Sequence, residues 1–374
     1  MPILTIVFLV LLGINFLIQM YYLWGVFAKF AFHRKPRGIS GYRPPVSVVI
    51  SAHNEYQNLN KNLPKILKQD YVDFEVVVVN DFSDDDTSEL LEDFAREYKH
   101  LKVVTLTQRL NFFRGKKFPL SIGIKATNHE HLLLTDADCE PASPYWINEM
   151  MKGFDEEAEL VIGYGAYKKK KGLLNTIIRF ETLKTALQYF SLAIAGRPYM
   201  GVGRNIAYLK SVFYRSGGFV SHYQISSGDD DLFVNKIANQ SNTRVVYSPQ
   251  SHTLSDSKTS FDSWFRQKKR HLSTGKHYKK KDQLMLGGYV LTRLLFYISL
   301  IVLLITLPLD LNLYIAGGIG VFFILSQILI FQRTAIKLGE SRLGYIAPLL
   351  ELFFVIWEPV LSLANIVSSK NQWK

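Results

Sequence analysis

Asp136 and Asp138 stand two residues apart, directly behind the apolar run Leu132-Leu133-Leu134. Two carboxylates at that spacing repel each other and are costly unless a cation sits with them. A hard divalent metal holding a diphosphate accounts for such a pair, whereas an isolated pair is more often a polar turn after a buried strand. This pair has company. Val46–Ile50 stops at Ser51-Ala52-His53-Asn54-Glu55, and Phe74–Val79 stops at Asn80-Asp81-Phe82-Ser83-Asp84-Asp85-Asp86-Thr87. Further on come Gly115-Lys116-Lys117, the turn Gly201-Val202-Gly203-Arg204-Asn205, the acidic triplet Asp229-Asp230-Asp231, and Gln267-x-x-Arg270 at helical spacing. Acids in a first helical turn also serve as caps favoured by the dipole, which is the plain alternative for the triplet.

The elements that must position these groups follow from hydrophobic period. Val46–Ile50, Phe74–Val79, Leu101–Leu106 and His131–Leu134 are short β-branched or aliphatic runs that read as buried strands. Leu59–Lys68, Ser88–Tyr98 and Leu120–Thr127 between them read as helices. Strands alternating with helices imply an α/β fold with a parallel sheet, and such sheets bind ligands beyond the carboxyl ends of their strands. Three of the four strands end in polar clusters, so Asn54/Glu55, Asp81 and Asp136/Asp138 should meet in one crevice. No Gly-x-Gly-x-x-Gly follows the first strand and no Walker loop is present, which argues against dehydrogenase and P-loop sites. Leu160–Gly165 reads as a further strand, and Leu173–Ala195 as an amphipathic helix on the membrane or against the core.

The 374 residues are 48% hydrophobic and 20% charged, between soluble and membrane proteins, and the apolar residues are clustered. Pro2–Phe27 is long enough to cross a bilayer, which needs roughly 20 residues. No basic stretch precedes it and Lys29, Arg34, Lys35 and Arg37 follow, so it reads as a retained anchor rather than a signal peptide. Met285–Leu309, Leu311–Phe331 and Tyr345–Val367 are further apolar stretches. Arg293, Glu351 and Glu358 lie inside them and must face protein, reach the interface, or mark a helix lying in the membrane surface. Basic residues flank both ends of the polar segment, and the positive-inside rule then puts that segment in the cytoplasm of a multi-pass cell-membrane protein. Much of the net charge of +12 is explained in this way and by attraction to anionic lipid, with no need for nucleic acid as a partner. The single cysteine, Cys139, leaves no internal disulfide.

In order and spacing, Val46–Glu55, Asp81-Phe82-Ser83-x-Asp85-Asp86-Thr87, Gly115-Lys116, Asp136-x-Asp138, Gly203-x-Asn205-x-Ala207, Asp229-Asp230 and Gln267-x-x-Arg270 resemble the family 2 inverting glycosyltransferases of the GT-A fold. The resemblance covers about Val46–Gly275. It implies a Rossmann-like GT-A domain at 44–282, a transmembrane anchor at 1–28 and transmembrane or interfacial helices at 285–369. It further implies a nucleotide-diphosphate sugar as donor. Ala52, Asn54 and Glu55 would line the nucleotide pocket, Asp81 would accept from a uracil-type base, and Lys116 would approach the nucleotide. Asp136 would sit near ribose or metal, and Asp138 would coordinate Mg²⁺ or Mn²⁺. Asp229 matches the general base, with Gly228 in place of the first acid of the family's E-D motif and Asp230 as the register-shifted alternative. Gln267 and Arg270 match the motif beside the leaving diphosphate, although Arg270 also lies in a basic run that suits lipid. Gly203 and Asn205 would lie on the acceptor side, or form an ordinary turn.

Two departures bear on function. His271 stands where the family's Gln-x-x-Arg-Trp motif has Trp, a residue that helps processive synthases hold a growing chain. Phe82 replaces the usual small residue after Asp81. The expectation is transfer of a single sugar to a lipid-linked or other cell-envelope glycan acceptor at the membrane face. A processive polysaccharide synthase and a catalytically silent membrane scaffold are the alternatives.

Overall fold

The computed structural model describes residues 3–34, 43–107, 115–225 and 227–367. Pro2, Lys35 and Arg37, and the segment end at residue 369, lie outside the described residues.

The chain enters as α1 (Ile3–Met20), a π-helical stretch (Tyr21–Phe27) and α2 (Ala28–Ala31), which together form one long apolar rod. The α/β part then runs β1 (Val46–Ala52), α3 (Tyr56–Leu67), β2 (Phe74–Asp81), α4 (Thr87–Glu97), β3 (Leu101–Leu106), α5 (Lys117–Ala126) and β4 (His131–Leu134). After it come β5 (Cys139–Pro141), α6 (Trp146–Met151), β6 (Leu160–Ile162), β7 (Gly165–Tyr167), α7 (Leu173–Ile194), β8 (Ile206–Leu209), α8 (Lys210–Arg215), α9 (Asp231–Ile237), β9 (Thr243–Val245), β10 (Thr253–Ser255) and α10 (Phe261–Gly275). The chain continues through α11 (Lys280–Thr306), α12 (Leu311–Lys337), α13 (Ser341–Tyr345) and α14 (Ala347–Val367).

The main sheet has the order β3-β2-β1-β4-β8-β6-β9. Val48 pairs in parallel with Val76 on one side and Leu133 on the other, and all three are fully buried. That is the reason for the unbroken β-branched runs: helices cover both faces, so no position alternates out to water. The sheet is mixed rather than parallel throughout, because β8 runs antiparallel to both β4 and β6. The four strands from which a parallel sheet is expected, β1 to β4, are parallel to one another, and the antiparallel strand lies outside them. The run after β4 lacks the strand–helix alternation that enforces right-handed parallel crossovers. A small second sheet, β5-β10-β7, lies beyond the end of β4.

The helix α7 is not amphipathic in the expected sense. Twelve of its 22 residues are buried, spread around its circumference, and include Lys184. It packs against α2, α12 and α14 as well as β7 and β9, so it lies between the sheet and the apolar helices. Its charges survive there because each has a partner. Arg179 forks onto Glu340, Glu181 accepts from Trp264 and Lys268, and Lys184 meets Glu351 at 3.1 Å and Glu358 at 2.6 Å. Arg293 of α11 closes this last group with ion pairs to both glutamates.

Among the described residues, four helical segments are long and apolar enough to cross a membrane: Ile3–Ala31, Lys280–Thr306, Leu311–Lys337 and Ala347–Asn365. Charges inside the second and the fourth turn inward to one another, which removes the objection that Arg293, Glu351 and Glu358 raise in sequence. The last helix also packs on α10, where Trp357 stacks on Trp264 with centroids 4.9 Å apart.

Candidate active site

The carboxyl ends of β1, β2 and β4 lie side by side, and the loops that leave them are knitted together. Asn54, in the left-handed region at φ 54°, donates its backbone N–H to Ser83 Oγ and accepts from the Asp84 N–H through Oδ1. The Glu55 N–H donates to Thr87 Oγ1, and His53 Nδ1 donates to the Asp81 carbonyl at 2.7 Å. The Asn54 side chain thus holds the β2 loop in place at the rim of the crevice. Glu55 lies half-buried close to the acid pair. Burial raises its carboxyl above the ordinary range, and the charges of Asp138, Asp136 and Asp85 add to that, while Asn58 opposes it.

Asp136, Asp138 and Cys139 bring one potential ligand atom each within 4.8 Å of one another just past β4. Burial and the neighbouring Asp136 charge push Asp138 upward, partly offset by Arg204 and Lys116. A pair of carboxylates that repel in this way fits a hard divalent cation. Cys139 fits less well as a ligand: burial keeps its thiol protonated, and Sγ donates to Asp138 at 3.4 Å.

Beyond β4 a cleft opens between Lys116, Thr135, Asp136, Gly203, Asp229 and Asp230, over a floor of Leu120, Leu134, Ile206, Tyr208 and Phe233. Lys116 spans it. Its Nζ donates to Asp136 at 2.5 Å and stands 3.3 Å from Asp229. Burial alone would lower this lysine, but Asp136, Asp229 and Asp230 outweigh it and hold the ammonium charged. Burial would likewise raise Asp229, yet Lys116, Lys117 and the backbone keep it below the ordinary range.

Asp230 differs. Oδ2 accepts from the Gly203 N–H at 2.5 Å and Oδ1 from the Asp231 N–H at 2.7 Å, so it caps α9. Burial, with Asp229 and Asp231 on either side, pushes it up to about 7. Asp231 accepts from Thr274 Oγ1 and from Tyr278 Oη at 2.7 Å, which ties the start of α9 to the end of α10. Gly228 sits at φ +94°, and a Cβ there would approach Leu232 Cδ1 to 2.4 Å. That is the physical reason no acid stands in this position.

Gln267 and Arg270 lie on α10, whose end is fastened to Asp231. Gln267 Nε2 reaches Tyr167 Oη at 3.5 Å, and its Oε1 is buried with no partner among the described residues. His271, one residue on, opens to solvent but is crowded by its surroundings. Desolvation, then Lys268, Arg270, Arg204 and Lys116, hold its imidazole well below the ordinary range and neutral.

Gly203 and Asn205 part company. Gly203 lines the cleft, whereas Asn205 is fully buried and its amide is spent internally. Oδ1 accepts from Trp146 Nε1 at 3.0 Å, and Nδ2 donates to the carbonyls of Tyr164 and Ser251 at 3.0 and 2.7 Å. This corrects the expectation that Asn205 faces an acceptor: it lies in the turn just before β8, and its buried amide is used up on Trp146 and two main-chain carbonyls. The residue between them, Arg204, lies 4.4 Å over the Tyr167 ring, donates to Ser255 Oγ at 3.0 Å, and projects its charge onto Asp138. Sequence reasoning passed over Arg204, Asp231 and Lys117. Their one signal is adjacency to residues that it did single out.

Residues 47–216 match the model of Glycosyl transferase family 2, so the chain contains a family 2 glycosyltransferase domain. The probable glycosyltransferase YdaM of Bacillus subtilis is 28% identical over 240 residues, 61% of this chain and 54% of that protein. A poly-β-1,6-N-acetyl-D-glucosamine synthase of Staphylococcus epidermidis is 28% identical over 140 residues, 36% of this chain and 32% of the synthase. The chain spans about half the length, or less, of these relatives. Among solved structures, the mannosyltransferase PcManGT of Pyrobaculum calidifontis, in complex with GDP-Man and Mn²⁺, superposes with a TM-score of 0.59. That match has 19% identity and covers 90% of this chain and 99% of that one, a likeness of fold.

Proposed function

We propose that this family 2 glycosyltransferase domain moves a sugar from a nucleotide-diphosphate sugar to a hydroxyl acceptor, with inversion, at a membrane face. The observation that carries the reading is the meeting of Asp136/Asp138 and Asp229 across one cleft, bridged by Lys116. Asp136 and Asp138 would hold Mg²⁺ or Mn²⁺, which when bound neutralises charge on a diphosphate. Lys116 adds a fixed positive charge where the diphosphate would leave, and Gln267 and Arg270 of α10 would stand beside the leaving group. Asp229 takes the acceptor proton, since Lys116 keeps it ionised at neutral pH. Ala52, Asn54, Glu55 and Asp81 form the nucleotide side, where the β1 and β2 loops lock each other. Gly203 is the acceptor-side residue that reaches the cleft.

Four apolar helices support a multi-pass protein, and the flanking lysines and arginines favour a cytoplasmic catalytic face. A lipid-linked acceptor suits that placement. The polysaccharide synthase among the relatives favours a second reading, processive synthesis, against which stands His271 in place of Trp. Product length separates the two.

The test is thermal unfolding of the detergent-purified chain with UDP- and GDP-sugars, each with and without Mn²⁺. A shift that needs one nucleotide and the metal together supports a metal-dependent donor site. No shift with any donor moves the reading to a silent scaffold.

A further inference from the structure

Lys117 is the first residue of α5, next to the lysine that serves the acids, and it does something different. It is 2% exposed. Its Nζ donates to three backbone carbonyls, His222 at 3.0 Å, Ile225 at 2.5 Å and Ser227 at 2.6 Å. An ammonium has three N–H donors and no acceptor, so the group is saturated. The carbonyls belong to a segment whose one helical turn is Val220–His222 and which has no strand ladder of its own. Without Lys117, the carbonyls of Ile225 and Ser227 would lose a buried partner, at a cost comparable to a lost hydrogen bond.

This segment delivers the acids. It begins at Gly218, φ +53°, and ends at Gly228, φ +94°, directly before Asp229 and Asp230. Tyr223 Oη meets Ser121 Oγ at 3.0 Å, one turn along α5 from Lys117. Lys236 of α9 donates to the Ser216 carbonyl at 2.5 Å. Lys117 and Ser121 thus hold the segment to the start of α5, with a left-handed glycine at each end.

We propose that Lys117 is a positioning residue: its ammonium fastens the backbone at His222, Ile225 and Ser227 to α5 and so places Asp229 and Asp230 against Lys116 and Asp136. One helix start then organises both sides of the cleft. Lys116 does so by charge on carboxylates, and Lys117 by hydrogen bonds to main chain. Burial lowers Lys117 below the ordinary lysine range, while the field of Asp229, Asp231 and Asp230 opposes this and favours the charged form. The catalytic consequence rests on the proposed function, whereas the anchoring itself does not.

The test compares wild type, Lys117→Met and Lys117→Arg as the full chain in detergent. Hydrogen exchange reads the anchoring. Lys117→Met should speed exchange at residues 219–225 and 229–231 and leave the main sheet unchanged. Kinetics reads the placement, as nucleotide release from a UDP- or GDP-sugar with Mn²⁺. Roughly a tenfold to hundredfold fall in kcat is expected, on the scale of a misplaced reacting group. KM, and binding of UDP or GDP with Mn²⁺, should stay within about twofold, because the donor side is untouched. Lys117→Arg keeps the charge, but its planar fork does not match three carbonyls around one nitrogen, so it should recover part of both losses. Should Lys117→Met fail to fold, the arginine variant decides by the same two readouts. Unchanged exchange overturns the anchoring. A rise in KM with unchanged kcat overturns the placement and makes Lys117 a donor-site residue. If wild type neither binds nor cleaves a nucleotide sugar, the proposed function falls and exchange alone still decides the anchoring.

Discussion

Two clusters of charge among the described residues are built on opposite terms, one buried between helices and the other lining a partly open cleft. Between α7, α11 and α14, two cations, Lys184 and Arg293, face two carboxylates, Glu351 and Glu358, and every member touches both opposite partners. In the cleft, Asp136 and Asp229 flank one bridging ammonium, Lys116, with Asp230 on the lining, Asp138 beside Asp136 and Glu55 close by. The first cluster is closed. Buried charges that neutralise each other hold elements in place and ask for nothing more. The second carries more negative than positive charge, which suits the metal-binding role proposed for Asp136 and Asp138. The two clusters differ both in charge balance and in burial.

The largest expected effects break the cleft. Asp138→Asn should remove most metal-dependent transfer and abolish the Mn²⁺-dependent rise in melting temperature; full activity would refute the metal role. Asp229→Asn should leave Mn²⁺–nucleotide binding intact and slow transfer by about 10²- to 10⁴-fold, the usual worth of a general base. If Asp230→Asn is the more damaging change in single-turnover assays, the base is one residue further on.

Breaking the other cluster should cost stability instead. Arg293→Met leaves Glu351 without its arginine and should destabilise by about 3–5 kcal/mol. Replacing Arg293 and Glu351 together with leucine leaves Lys184 and Glu358 balanced and should restore most of that loss. Detergent unfolding midpoints read both variants, and a double variant no better than the single one would contradict the balanced-cluster reading.

A smaller effect concerns pH. Asp230 rises from an ordinary 3.8 to about 7 on folding, so between those values the folded state holds a proton that the unfolded state has released. Stability of the metal-free protein should therefore decline as pH rises from about 4 to about 7. Asp229 has the opposite sign, and its contribution is lost on acidification through its lowered value. Asp230→Asn should flatten the decline, and an unchanged slope in pH-dependent melting would exclude Asp230 as its source. The smallest effect is on product length. His271→Trp should lengthen products if the aromatic face is what processive relatives use, while products of one added sugar in both proteins would place the limit elsewhere.

Much of this arrangement was legible in the residues. The β-branched runs at Val46–Ile50, Phe74–Val79 and His131–Leu134 set buried strands, and the polar residues at their ends meet at one crevice, because parallel strands share one carboxyl edge. The acid pair Asp136/Asp138 followed from spacing, and the spans from length and apolarity. Their inward charges were visible as anomalies, though not as partners.

What only the tertiary structure decided is what depends on direction and on distance across the chain. Asn205 and Gly203 are two residues apart, yet one is an internal staple and the other lines the cleft. Lys116 and Lys117 are neighbours of one type, yet one holds carboxylates and the other main-chain carbonyls more than a hundred residues away. The pairing of Lys184 with Glu351 and Glu358 spans still more of the chain. Local sequence sets backbone period because neighbouring residues share torsions and burial. It leaves open which distant charge a side chain meets, because that depends on how the packed elements are brought together.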